Sequence, residues 1–136
     1  MPDSRKKGQR GMNEACSAWL AEGYPFIVNP QYRGGKGQPD IIPDKTRMKY
    51  WDARDLDEFA HCEVKRQERV SIEDWLQQAS RDSMYRMPYV MHRRNHEEWK
   101  VTMWFKDFAG LIREAIPSNG TSDSRRDVPQ SPGNAF

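Results

Sequence analysis

The feature of this sequence that most constrains its fold is a change in hydrophobic period near the middle of the chain. Over Phe59–Lys65 apolar and polar side chains alternate, which predicts a strand with one apolar face. Ser71 followed by Asp74 then resembles a capping box, and apolar residues recur at helical spacing, which predicts a helix over 72–85. A strand followed by an amphipathic helix is typical of α/β architecture.

Shorter patterns predict the other elements. Asn13 as a candidate N-cap and Gly23 as a stop bound a first helix at about 13–22. Aromatic and β-branched runs predict further strands at 24–29, 39–42, 88–92 and 99–105. A last helix presents Phe108, Leu111, Ile112 and Ala115. The order of elements predicts an α/β fold built on one mixed sheet flanked by helices.

The chain has 136 residues and a net charge of +2, so one small domain is expected and any binding surface must be a local patch. We expect a flexible basic arm over 1–11, an ordered domain over 12–116 and a disordered tail over 117–136, which is rich in proline, glycine and serine. No apolar run is long enough for a membrane span or signal peptide, which favours a cytoplasmic protein of a bacterial or phage-infected cell. The two cysteines fit small hydrophobes better than a disulfide or zinc site.

The chemistry is concentrated in Asp40, at the start of one strand, and in Glu63 and Lys65 on the next. Side chains at i and i+2 of a strand share a face, so Glu63 and Lys65 project together, and Asp40 joins them if the two strands pair. Two carboxylates about 4 Å apart repel by about 4 kcal/mol, so the site needs a cation. Oxygen ligands favour Mg²⁺ over Zn²⁺, with Mn²⁺ as a substitute. Such a metal can polarise a phosphodiester and generate hydroxide, and the Lys65 ammonium can stabilise the transition state or act on the nucleophile.

The segments Gly37–Ile42 and Cys62–Lys65, followed by a helix bearing Gln77 and Gln78, resemble the PD-(D/E)xK nuclease superfamily. Within it they are most similar to archaeal-type Holliday junction resolvases and their phage relatives. The resemblance implies a restriction-endonuclease-like α-β-β-β-α-β core and a magnesium-dependent endonuclease that acts on branched or duplex DNA as a homodimer. It implies metal ligation by Asp40, Glu63 and the Val64 carbonyl, and catalysis by Lys65. A helix angle of 100° per residue favours Gln78 over Gln77 as the helix glutamine, and Glu14 is the candidate acid of the first helix.

The DNA contacts are expected from basic residues near the termini of the domain and the predicted cleft. These are Arg5, Lys6, Lys7, Arg10, Lys36, Arg93 and Arg94. The charged segment Lys45–Glu58 separates the two motif strands, and we interpret it as an extended hairpin that touches DNA. Trp51 and Trp104 fall on polar faces, where they can stack on bases or on a partner subunit.

Three other readings compete with this one. Repair-type or restriction-like cleavage of duplex or flap DNA uses the same chemistry, and a catalytically inactive DNA- or protein-binding module can keep the same fold. His92, Asn95 and His96 have the spacing of a His-Asn-His nuclease but lack its zinc-ribbon or ββα context. No Gly-Lys-Ser/Thr follows the glycines at 34, 35 and 37, so a P-loop and a nucleotide cofactor are not expected.

Overall fold

The structure is a computed structural model that describes residues 4–30 and 37–116, with side chains from Gly8 onwards. The predicted tail over 117–136 and the candidate DNA contact Lys36 lie outside the described residues. The chain divides into two compact units, Met1–Met103 and Trp104–Phe136. Within the described residues, none of the helices is long and apolar enough to cross a membrane.

The first unit is a five-stranded mixed sheet with three helices, and the second holds the last helix. The helices are α1 (Ser4–Ala21), α2 (Tyr50–Phe59), α3 (Ile72–Asp82) and α4 (Phe105–Ala115). The strands are β1 (Phe26–Val28), β2 (Ile41–Pro43), β3 (Ala60–Lys65), β4 (Met87–His92) and β5 (Lys100–Thr102). The strands lie in sequence order, β3 and β4 are parallel, and all other neighbours are antiparallel. The predicted α/β fold with a mixed sheet flanked by helices is therefore confirmed.

The two faces of the sheet are covered by different helices. On one face α1 packs on β1 and β3, and the buried cluster consists of Met12, Ala15, Phe26, Ile41, Cys62, Tyr89 and Met91. Trp19 of α1 stacks on Phe26 with ring centroids 4.6 Å apart. On the other face α3 packs on β3 and β4 through its buried residues Trp75, Leu76 and Ala79. Both cysteines are free thiols, and burial raises the pKa of Cys62 well above its ordinary value.

The first helix is longer than its sequence pattern predicts. It begins at Ser4, so residues 4–11 are helical, although their sequence pattern shows no helix. Asn13 lies inside the helix and does not cap it. The sequence pattern misses this first part of the helix because Gly11 is one of its buried residues, together with Met12. Gly11 packs closely against Arg66, and a glycine adds no apolar side chain to a helical repeat. The predicted stop at Gly23 is confirmed, because Gly23 has a φ of 100° and closes the helix end with hydrogen bonds from Gly23 N to Leu20 O and Tyr24 N to Trp19 O.

The charged segment between the two motif strands forms a helix where an extended hairpin was expected. Its helix α2 packs on β2 and β3, and Ala53 is fully buried. The apolar stripe of α2 is narrow, so the many charges over 45–58 conceal its helical period. Two smaller predictions are also wrong. Ser71 makes no side-chain cap hydrogen bond, and Phe105 begins α4 where a strand was predicted.

We expect Gly11→Ala to lower the free energy of unfolding by about 1–3 kcal/mol, as overpacking does. A Cβ at this position would lie 2.7 Å from Arg66 Cβ, which is bonded directly to the backbone and cannot swing away. The strain should outweigh the gain of about 1 kcal/mol in helix propensity. Urea denaturation measures the difference.

Gly110→Ala is the matched control, because it is also a helical glycine but its nearest neighbour is the flexible Arg113 guanidinium at 3.7 Å. It should leave stability unchanged or raise it by up to about 1 kcal/mol. A Gly11→Ala protein as stable as the parent would contradict the close approach of α1 to Arg66.

Candidate active site

Strand pairing brings Asp40 beside Glu63. Ile41 of β2 is the register partner of Cys62 of β3, and Asp40 N donates to Cys62 O at 2.9 Å. Val64 N in turn donates to Asp40 Oδ2 at 2.8 Å. The carboxylate of one motif strand is thus hydrogen-bonded to the backbone of the other, next to Glu63.

A buried asparagine that the sequence analysis did not single out holds this turn. Asn29, at the end of β1, is 4% exposed and donates from Nδ2 to Pro39 O at 2.8 Å. Its backbone N donates to Asp40 O at 3.0 Å. The sequence signal is a polar residue that directly follows the apolar run of β1, and this signal is weak because strands often end at such residues.

Glu63 is buried between two polar side chains. Its Oε2 accepts from Gln78 Nε2 at 3.3 Å, and its Oε1 lies 3.3 Å from His61 Nε2. His61 is fully buried, and its Nδ1 has no hydrogen-bond partner among the described residues. Strand alternation placed His61 and Glu63 on a polar face, but it could not show that α3 and its neighbours bury that face.

Gln78 links the lysine to the acidic residue. Lys65 Nζ donates to Gln78 Oε1 at 3.0 Å, while the same amide donates from Nε2 to Glu63. Gln77 is exposed and donates to Glu73 Oε2 at 2.9 Å. The structure therefore brings Gln78 into the cluster and leaves Gln77 outside it, as the helix angle favoured.

The electrostatics of the cluster are unfavourable to a second negative charge. Burial, and after it the negative charge of Glu63, raise the pKa of Asp40 to about 7. The Val64 N–H and the charges of Lys65 and His61 oppose these effects only in part. A cation between the two carboxylates would relieve this penalty.

The donor set fits a hard divalent cation with an incomplete protein shell. Asp40 Oδ1 accepts no hydrogen bond from any described residue, so its lone pairs remain available. The Val64 carbonyl points to the same side of β3 as the Val64 N–H, which is the side of Asp40. No group of three or more His, Cys, Asp or Glu side chains gathers among the described residues, as a zinc cage would require. Two carboxylates, a carbonyl and water are the ligands that Mg²⁺ prefers.

The structure does not bring Glu14 to this cluster. Glu14 Oε1 accepts from Arg66 Nε at 2.9 Å and from Arg93 Nη2 at 3.2 Å, and Glu14 has no hydrogen bond or ion pair with Asp40 or Glu63 among the described residues. Partial burial acts to raise the pKa of Glu14, but the hydrogen bonds and charges of the two arginines outweigh it and lower the pKa. Glu14 thus joins α1 to the ends of β3 and β4.

The candidate DNA contacts differ in their surroundings. Arg10 is exposed on α1, whereas Arg93 is bonded to Glu14 and lies 5.7 Å from the Trp99 ring. Arg94 is paired with Glu97 at 2.8 Å. The side chains of Arg5, Lys6 and Lys7 lie outside the part of the chain that the structure describes.

The alternative histidine site does not assemble. His92 is buried, with Nε2 2.9 Å from Thr102 Oγ1 and its ring 5.4 Å from the Trp75 ring. His96 is exposed with a φ of 64° in the turn that follows β4. The two imidazoles therefore have different surroundings and show no common ligand set.

Comparison with solved structures shows a distant likeness. No protein-family model matches the chain, and no curated protein does. A similar solved structure is that of Archaeoglobus fulgidus Hjc, a Holliday junction resolvase from an archaeal hyperthermophile. It is 18% identical, with a TM-score of 0.46, and the alignment covers 71% of this chain and 72% of that one. A likeness this distant leaves the function to be argued from the residues of the site.

We expect Asp40→Asn to be more stable than the parent in metal-free solution at pH 8, by up to about 4 kcal/mol. In the unfolded chain this carboxyl ionises near pH 3.8, but in the folded protein it keeps its proton until about pH 7. The folded state thus binds more protons between these values, so the parent loses stability as the pH rises from about 4 to about 7. One pKa unit corresponds to about 1.4 kcal/mol. Asparagine cannot ionise and still accepts the Val64 hydrogen bond.

The measurement is urea denaturation in EDTA across this pH range. Glu58→Gln, which removes an exposed carboxylate, is the control and should track the parent. A stability difference between Asp40→Asn and the parent that is the same at pH 4.5 and pH 8 would argue against the buried acidic pair.

Proposed function

We propose that this chain is a metal-dependent endodeoxyribonuclease that hydrolyses phosphodiesters in branched or duplex DNA. The observation that carries the proposal is the convergence of Asp40, Glu63, Lys65 and Gln78 from two strands and a helix. Acidic residues that share a cation next to a held ammonium group are suited to reactions in which negative charge grows on a phosphate.

Asp40, Glu63 and the Val64 carbonyl would hold Mg²⁺, for which Mn²⁺ can substitute. The bound metal supplies a Lewis acid for the phosphodiester, a lower pKa for water and positive charge against the phosphate oxygens. The residues of the chain contribute the fixed geometry. Val64 N–H orients the Asp40 carboxylate, and the Gln78 amide and the His61 ring contact the two oxygens of Glu63.

Lys65 would act on the phosphate or on the attacking water. Gln78 holds its ammonium group at 3.0 Å, which restricts a side chain that otherwise has many rotamers. In this position the ammonium can donate to a phosphate oxygen as its charge increases, or orient the nucleophile. Gln78 is then a positioning residue, because it acts through Lys65 and Glu63.

For the substrate, the sequence resemblance favours four-way DNA junctions cleaved by a homodimer, since symmetric cleavage of a junction needs two active sites. Arg10 and the basic residues before it on α1 are proposed to contact the phosphate backbone. Repair-type or restriction-like cleavage, and binding without turnover, are outcomes that the assay below separates.

We expect the parent to nick DNA only with Mg²⁺ or Mn²⁺, and Asp40→Ala or Lys65→Ala to lower the rate about 100-fold or more. Gln78→Ala should lower it about 10-fold, as the loss of a supporting hydrogen bond does. Gln77→Ala is the matched control on the same helix and should retain the parent rate. The assay compares junction, duplex and single-stranded DNA.

Cleavage that survives both Asp40→Ala and Lys65→Ala would reject the assigned site. DNA binding by the parent without cleavage in either metal would support the inactive module instead. If duplex or flap DNA is cleaved in preference to the junction, the proposed substrate is wrong, but the assignment of the active site is retained.

We also expect millimolar Mg²⁺ to raise the melting temperature of the parent but not of Asp40→Asn or Glu63→Gln. A ligand present at ten times its Kd stabilises the folded state by about 1.4 kcal/mol, which corresponds to a few degrees for a chain of this size. Differential scanning fluorimetry with Mg²⁺ titration measures the shift. Equal shifts in the parent and both variants would place the bound metal elsewhere.

A further inference from the structure

Two aromatic residues at the start of α2 are exposed to solvent and have no role in the site described above. Tyr50 is 58% exposed and Trp51 is 62% exposed. Their ring centroids are 5.3 Å apart at an interplanar angle of 74°. An exposed tryptophan beside an exposed tyrosine leaves a large apolar area in water, which usually indicates a binding surface.

An arginine one turn later lies against both rings. The Arg54 guanidinium carbon is 5.0 Å from the Trp51 ring centroid and 6.0 Å from that of Tyr50. Arg54 Nε is shielded from solvent and has no hydrogen-bond partner among the described residues. Tyr50, Trp51 and Arg54 thus form one preassembled surface, which we call the α2 platform.

Two cations beside the platform have no ion-pair partner among the described residues. Arg47 and Lys49 directly precede α2, and neither has a carboxylate oxygen within 4.0 Å among the residues described. Asp52 and Asp55 line the same groove of about 720 Å³ as Arg47 and Lys49. Asp55 Oδ1 also lies 3.3 Å from Arg54 Nη2, so these two carboxylates offset part of the positive charge of the three cations. Arg47 and Lys49, which no carboxylate pairs with, are available to contact phosphates.

The platform is carried by the segment that connects the two strands of the candidate active site. Asp40 precedes β2, Glu63 lies on β3, and α2 packs on both strands. The C-terminal end of the helix is fixed, because Arg86 Nε donates to Asp57 O at 2.6 Å and Lys45 pairs with the Asp57 carboxylate at 3.5 Å. The platform thus lies on a helix whose far end is anchored to the rest of the first unit.

We infer that the α2 platform binds an unpaired nucleobase of the DNA substrate by stacking on Trp51, with Arg47 and Lys49 on the adjacent phosphates. Every base has a flat aromatic face, so such stacking accepts any sequence and requires only that the base is unpaired. The inference rests on the proposed nuclease function and adds a substrate class to it, which is DNA with unstacked or single-stranded bases at or near the point of cleavage.

The test is a binding titration in EDTA with labelled duplex and with the same duplex carrying a short single-stranded gap. The gap contains 2-aminopurine, whose fluorescence falls when it stacks. Trp51→Ala should weaken binding to gapped DNA about 10-fold and abolish the fluorescence change, while binding to intact duplex stays the same. Trp51→Phe should retain most of both effects. Phe59→Ala, which removes another exposed aromatic ring of α2, is the matched control and should resemble the parent.

Gapped-DNA binding and 2-aminopurine fluorescence that are unchanged in Trp51→Ala would overturn the inference while leaving the nuclease proposal intact. An equal loss of affinity for both DNAs would also overturn it, because it would show a general role in binding. So would dissociation of a parent dimer by Trp51→Ala with DNA binding retained, since the platform would then hold a second copy of the chain. A parent that binds neither DNA and cleaves none would instead reject the proposed function. Melting temperatures close to the parent value establish that each variant is folded.

Discussion

The repulsion between Asp40 and Glu63 is the constraint around which the first unit of this protein is organised. The pair lies where β2 meets β3, largely withdrawn from water, and the pKa of Asp40 is raised to about 7 as a result. The pair accepts hydrogen bonds from neutral donors, which are a backbone N–H at Asp40 and the Gln78 amide at Glu63. Hydrogen bonds from neutral donors orient the carboxylates but do not neutralise their charge. A bound cation is therefore still needed to offset the repulsion between them.

Because the acidic pair opposes folding, the strands that carry it must be held together by other interactions. The apolar cluster under α1 includes Ile41 and Cys62, the register partners next to the pair. At the ends of β3 and β4, Glu14 ties Arg66 and Arg93 to α1. The acidic residue that the sequence suggested for the site therefore has a structural position, on the opposite face of the sheet from Glu63.

The sequence predicted those parts of the fold whose apolar residues repeat over several turns or strand residues. It therefore predicted β3, α3 and the mixed α/β class, and the helix angle of α3 favoured Gln78, whose amide contacts Lys65. It failed where burial comes from something other than apolar side chains. The start of α1 depends on the close packing of the Gly11 backbone against Arg66. In α2, the many charged residues obscure the helical repeat of its apolar residues.

The same limit explains what was missed in the site. His61 and Glu63 alternate with apolar residues as a solvent-facing row would, and only the packing of α3 on that face shows that they are buried. Asn29 contacts the Pro39–Asp40 segment from a third strand, and a contact between residues that far apart leaves no periodic signal in one sequence.

The hydrogen bonds of Asn29 have a consequence for how this turn tolerates mutation. Asn29 donates hydrogen bonds to the backbone carbonyl oxygens of Pro39 and Asp40. Every amino acid has such a carbonyl, so these hydrogen bonds do not depend on the side chains at positions 39 and 40. Residue 40 can therefore be substituted while the backbone of this turn keeps its conformation. Position 29 does not share this tolerance. A replacement for Asn29 must itself supply a short side-chain donor, because the site is closed to water.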